Sequence, residues 1–192
     1  MTCDTKDFTL KKGETFNTVI RWEAPPIIWR PIAAITQTAP VRLTVPAHGC
    51  PDNWRVEVSS KKSMREIDGM KGLATVIDPD TIEINTINAS GFKPYKGDGY
   101  LAFNTPVDMT GMTARMAIKD KVGGTELLRL STLDNTIVLD VGACTIRLTL
   151  PATVTEDLTW RSGVYDLEMV SIDGTVTRLL SGRIRVVDEV TT

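Results

Sequence analysis

The chain has 192 residues, 42% of them hydrophobic and 24% charged, so folding can hide about 70% of the unfolded-chain surface and a disordered chain is excluded. Its 22 Lys and Arg are balanced by 24 Asp and Glu that alternate with them, which excludes the broad basic stripe of a protein that binds nucleic acid or anionic lipid. Residues 1–4 lack the apolar core of a signal peptide and no apolar run reaches bilayer-spanning length, so we expect no membrane insertion and a protein that stays where it is made.

In chain order, the first strand signal is Phe16, Thr18, Ile20 and Trp22 facing one way, with Asn17 and Arg21 facing the other. Pro25, Pro26 and Pro31 follow, and Pro106 marks a second junction. Proline disfavours a central strand and stiffens a connection, so both are expected to be crossings between domains. On this expectation residues 33–103 form an inserted small barrel, and residues 1–32 and 104–192 together form a host domain. Within the insert, Trp54, Val56 and Val58 alternate with Arg55 and Glu57, and Ile82 and Ile84 with Thr81 and Glu83. The basic cluster Lys61, Lys62 and Arg65 is short and reads as a solvated loop.

Beyond Pro106, Ala114, Met116 and Ile118 oppose Thr113, Arg115 and Lys119; Cys144, Ile146, Leu148 and Leu150 oppose Thr145, Arg147 and Thr149. Residues 153–160 are the one helical candidate. Tyr165, Leu167 and Met169 then oppose Asp166 and Glu168, and Asp173-Gly174 predicts a tight hairpin turn with positive φ at both central residues before a long strand over 175–187. Further turn signals at Asp78-Pro79-Asp80, Gly97-Asp98-Gly99, Gly123-Gly124, Asp134-Asn135 and Val141-Gly142 space the strands at sandwich or barrel intervals. The expected fold is all-β: a discontinuous β-sandwich with an inserted small β-barrel.

Two resemblances sharpen this expectation. Residues 7–16, with Phe8, Leu10, Gly13 and Phe16, followed by residues 106–116, the segment from Gly123-Gly124 to Leu128, and residues 163–168 and 173–182, resemble in order and spacing a class of tailed-phage and prophage structural proteins. Their strand pattern is similar to that of the N-terminal domain of baseplate upper proteins. The insert resembles the FCCH-type small barrel of ubiquitin-activating enzymes, through Ile35-Thr36, Pro40-Val41, Pro46-Ala47-His48-Gly49, Gly69-Met70, Gly72, Thr81-Ile82-Glu83-Ile84 and Gly91-Phe92-Lys93-Pro94-Tyr95. Residues 59–68 depart from that module's glycine-rich form, and the resemblance implies the fold alone, with no ubiquitin chemistry.

Catalytic equipment is sparse. His48 is the single histidine and has no companion motif, so it reads as a loop residue whose ring fixes the turn before Gly49. The carboxylate pairs Asp166/Glu168 and Asp78/Asp80 read as strand and turn positions. Cys3, Cys50 and Cys144 are odd in number and far apart, which fits buried or incidental thiols in a reducing cytosol, with neither a disulfide framework nor metal-ligand spacing. There is no nucleophile elbow, phosphate loop, dinucleotide fingerprint or Cys-x-x-Cys pair, so we expect no enzyme, cofactor or metal. Trp22, Trp54 and Trp160 are expected in cores, whereas Trp29, Tyr95 and Tyr100 fall near junctions or turns, where a ring can contact a protein partner or a glycan. The resemblance implies a non-enzymatic virion structural protein of a tailed bacteriophage, assembled in the host cytoplasm as a homo-oligomer with other phage structural proteins. Tail, baseplate or neck is the expected place; capsid decoration or head-fibre attachment is the alternative, and a host-glycan binding module the second.

Overall fold

The computed structural model describes residues 4–188, leaving Cys3 outside the described residues. Strands take 52% of the described residues and helix 4%, so the fold is all-β. Two compact units divide it: Met1–Trp22 with Asp108–Thr192, and Glu23–Val107. The first unit opens with β1 (Asp4–Thr5), β2 (Phe8–Lys11) and β3 (Phe16–Arg21). The second holds β4 (Glu23–Pro31), β5 (Ala34–Ile35), β6 (Val41–Thr44), β7 (Trp54–Ser59), β8 (Lys71–Asp78), β9 (Thr81–Ile84) and β10 (Tyr100–Pro106). The first unit then resumes with β11 (Thr113–Lys119), β12 (Glu126–Ser131), β13 (Ile137–Asp140), β14 (Thr145–Leu150), helix α1 (Ala152–Glu156), β15 (Ser162–Val170) and β16 (Val176–Val187).

In the first unit one sheet has the order β1-β16-β15-β11-β12, with β2 also on β16, and a second sheet has the order β13-β14-β3. Alternation decides which side chains meet between them. Ala114, Met116, Ile118, Tyr165, Leu167 and Met169 of the larger sheet and Ile20, Ile137, Ile146, Leu148 and Leu150 of the smaller are buried, while Arg115, Arg147 and Asp166 point outward. Phe8 and Phe16 meet edge to face across the two sheets at 5.6 Å, and the Phe8 ring lies 5.3 Å from that of Tyr165. Both β1 and β2 run parallel to β16.

Helix α1 is shorter than the 153–160 expected from sequence. Thr153, Val154 and Thr155 are β-branched, and the Thr155 hydroxyl bonds both the Ala152 carbonyl (2.9 Å) and the Glu14 carbonyl (2.8 Å), so the segment serves more to anchor the β2–β3 turn than to extend a helix. The Asp173-Gly174 hairpin also differs in detail. The Gly174 N–H donates to the Ser171 carbonyl and the Ser171 N–H to the Thr175 carbonyl, both at 2.9 Å, and only Gly174 has positive φ (84°). This is a three-residue loop ending in a left-handed glycine, and Asp173 contributes by accepting the Thr175 N–H at 2.9 Å rather than by adopting positive φ.

The second unit is one seven-stranded sheet, β4-β10-β7-β8-β9-β6-β5. Its two ends are nearly consecutive in the chain: the Ile32 N–H donates to the Gly99 carbonyl beside β10, and the Ala33 N–H to the Thr44 carbonyl on β6. Neighbouring residues reach opposite ends of a seven-stranded sheet only if it curls round on itself. Trp54, Val56, Val58, Ala74, Val41, Leu43, Ile82, Ile84, Leu101 and Phe103 fill the inside. The loop between β7 and β8 is pinned by polar contacts in place of glycines: Asp68 accepts the Ser60 N–H (2.9 Å), and Asp98 accepts the Lys62 N–H and the Ser63 hydroxyl, each at 2.8 Å.

The units divide at Trp22/Glu23 and Val107/Asp108, not at 32/33 and 103/104. Residues 23–31 are a strand of the inserted unit, paired with β10 from Glu23↔Pro106 to Pro31↔Tyr100. An end strand with one partner tolerates proline, and Pro25 and Pro26 sit where the β4–β10 register shifts, so they leave no ladder donor unmet.

Candidate functional site

The outer face of the inserted unit gathers two of the three ring residues singled out in the sequence. Trp29 on β4 pairs with Ala102 on β10, and Tyr100 pairs with Pro31 and with Ser59 of β7, which sets the two rings diagonally on one face. They are 53% and 47% exposed. Ile27 and Leu73, 52% and 42% exposed, continue the face on β4 and β8. Between them lies a groove of about 670 Å³ whose lining includes Ile27, Leu73, Ala102 and Asn104. Trp29 and Tyr100 flank it without lining it.

The charges along this groove are matched within it. Arg55 meets Glu23 at 3.0 Å, Asn104 donates to the other Glu23 oxygen at 2.9 Å, and Lys71 meets Glu57 at 3.1 Å. Asn104 and Arg55 stand between Ile27 and Leu73 across the strands, so the face sets exposed aliphatic and aromatic groups on either side of a self-neutralised polar strip, a mixture of apolar and polar surface that protein contacts use. Tyr95 is placed differently. Its hydroxyl donates to the Ile32 carbonyl (2.9 Å) and accepts the Gly99 N–H (2.8 Å), so it latches the segment where the sheet ends approach. Burial pushes its phenol above the ordinary range.

His48 is 2% exposed and both ring nitrogens are committed to backbone. Nδ1 accepts the Cys50 N–H at 3.0 Å, so the proton sits on Nε2, which donates to the Asp78 carbonyl at 3.0 Å. The ring therefore ties the loop at residues 46–50 to the β8–β9 turn, where Asp80 accepts the Ala47 N–H and Asp78 the Asp80 N–H. His48→Ala leaves two backbone groups without partners and is expected to cost about 2–4 kcal/mol, read as a lower urea midpoint.

Burial also governs the two described thiols. Cys50 is pushed up to about 12 by burial and then by Asp52, and Cys144 is raised by burial, then by Asp108 and Asp140. Only a thiolate is a competent nucleophile. Cys50 and Cys144 are expected to resist alkylation at about pH 8 in the folded protein and to react once urea unfolds it, as read by mass spectrometry. Among the described residues no group of three His, Cys, Asp or Glu is placed to hold a metal ion, and no helix is long and apolar enough to cross a membrane.

A second concavity, of about 810 Å³, lies on the outer face of the larger sheet of the first unit. Its floor is made of small residues, Ala117, Ser181 and Gly182, and its walls of long charged ones on β11, β12, β15 and β16. Asp166 and Glu168, the strand carboxylates noted in the sequence, stand here in ion pairs with Arg178 (3.5 Å) and Arg115 (2.8 Å).

Sequence reasoning did not find Ile27, Leu73 or this second concavity. Strand β8 has apolar residues on both faces, Leu73 and Ile77 outward and Ala74 inward, so alternation alone does not say which side is solvent. No model of a known protein family matches the chain, and no curated protein matches it in sequence.

Proposed function

We propose that this protein is a non-enzymatic structural component of a tailed-phage particle, in which the outer face of the inserted unit docks a fibre or neighbouring subunit. The observation that carries the reading is the set of exposed groups Ile27, Trp29, Leu73 and Tyr100 on one face beside a self-neutralised polar strip, which places large apolar groups where a monomer gains nothing from them. The resemblance of residues 7–16, 106–116 and 163–182 to phage structural proteins favours the same reading, as does the commitment of His48 to backbone atoms and of the described thiols to the interior. Such components act in symmetric copies, so a homo-oligomer or ring is expected. Tail, baseplate or neck is the proposed place.

Mass spectrometry of purified particles, separated into heads and tails, tests it. The protein is expected in tails at a symmetric copy number. Recovery with heads would assign it to capsid decoration or head-fibre attachment, and absence from both fractions would overturn the structural role. Trp29→Ala is expected to weaken incorporation by tenfold or more, about 1.4 kcal/mol or above for an interface anchor, while leaving the thermal midpoint unchanged because the ring is half exposed.

A further inference from the structure

We infer that the hollow on the outer face of the first unit binds an acidic peptide segment, with Lys119 and Arg183 receiving its carboxylates. Nine charged side chains line this hollow: the cations Arg115, Lys119, Arg129, Arg178 and Arg183 and the acids Asp7, Glu126, Asp166 and Glu168. Each acid is already engaged. Glu168 holds Arg115 at 2.8 Å and Asp166 faces Arg178 at 3.5 Å. Glu126 takes Arg129 through both oxygens, at 3.0 and 2.6 Å, a pairing that holds its carboxyl below the usual range, with a smaller contribution from Lys119. Asp7 accepts the backbone N–H of Arg183 at 2.8 Å. Lys119 and Arg183 are left as the two cations of the hollow with no carboxylate within ion-pair distance among the described residues.

The register brings these two together. Lys119 pairs with Val164 on β15, and Val164 with Arg183 on β16, so both cations project outward from one row, about 10 Å apart at the backbone, with a valine between them. Both side chains are long enough to converge on one anionic group above Val164. In the adjacent row the small residues Ala117 and Ser181 stand on either side of Asp166, whose carboxylate faces Arg178 at 3.5 Å, so an extended chain finds low ground over β11 and β16 beside the two cations. No exposed aromatic ring lines it: Tyr165 is 3% exposed and its hydroxyl donates to the Lys6 carbonyl at 2.7 Å. A sugar would find no stacking platform here, whereas a peptide finds cations for its carboxylates and polar groups for its backbone.

The test uses the full chain and a fluorescent peptide of alternating glutamate and serine, followed by anisotropy at low and at physiological salt. Binding is expected at low salt and weaker binding at physiological salt. The double variant Lys119→Ala/Arg183→Ala should bind about tenfold more weakly, Lys119→Arg should retain binding, and Arg147→Ala, an exposed cation on the smaller sheet, should change nothing. All the altered side chains point outward, so matching thermal midpoints verify that each variant folds. Absence of binding by the native protein at low salt, or equal losses from Arg147→Ala and the double variant, would overturn the inference. Calorimetry with inorganic phosphate adds a further outcome: heat with phosphate and none with the peptide would make the hollow a phosphate site and overturn the peptide assignment.

Discussion

Trp54→Ala is expected to cost the inserted unit about 3–5 kcal/mol, the range for removing a large ring from a core that relaxes only in part. Trp54 is fully buried in the curled sheet, and its indole N–H donates to the Asn104 carbonyl at 3.0 Å. The substitution removes the ring, opens a cavity among Val56, Ala74 and their neighbours, and takes away the donor to that carbonyl. Trp54→Phe keeps most of the volume and loses the hydrogen bond, so a smaller loss of about 1–2 kcal/mol is expected. Urea titration followed by circular dichroism separates the two, and hydrogen exchange should show lost protection concentrated in β7, β8 and β10. A stability loss of less than 1 kcal/mol in Trp54→Ala would mean that the ring does not organise this core.

Gly182→Ala is expected to have the second large effect, in the first unit. A Cβ on Gly182 would collide with the backbone carbonyl of Lys6 and press on the Asp7 side chain. That carbonyl is fixed from several sides: the Tyr165 hydroxyl donates to it at 2.7 Å, the Lys6 N–H bonds the Ser181 carbonyl at 2.9 Å, and the Asp7 side chain accepts the Arg183 N–H. Backbone cannot move aside as a flexible side chain can, so the methyl group would push residues 5–7 off β16. We expect a loss of about 2–4 kcal/mol, at about 2–4 °C of melting temperature per kcal/mol for a chain of this size. Gly174→Ala is a useful contrast, because its added Cβ meets nothing within 4 Å and the cost comes only from its positive φ of 84°.

The facing of the strands was legible in the sequence because period-two alternation is local. Trp54, Val56 and Val58, or Ala114, Met116 and Ile118, declare their buried side without knowledge of any partner. Which strands pair depends on residues far apart in the chain. The closure of the inserted sheet by Ile32 and Ala33, and the parallel addition of β1 and β2 to β16, leave no periodic mark. Proline misled for a physical reason: Pro25, Pro26 and Pro31 carry the same composition whether they cross between domains or run along an end strand with a bulge. For the candidate surfaces, Trp29 and Tyr100 were visible as rings near junctions, but Ile27 and Leu73 look like core residues until the curl of the sheet turns them outward. Lys119 and Arg183 come to one row, on either side of Val164, through register alone.

The pairing of Glu23 with Pro106 places the entry and exit of the inserted unit on adjacent strands, one ladder spacing of about 5 Å apart. Once folded, those residues close the host chain as a tight turn would, so joining β3 to β11 carries the entropy of a short loop instead of that of the whole intervening segment. In loop-closure terms, the inserted unit and any other module with adjoining ends ask nearly the same of the host chain, whatever the length of the segment between those ends.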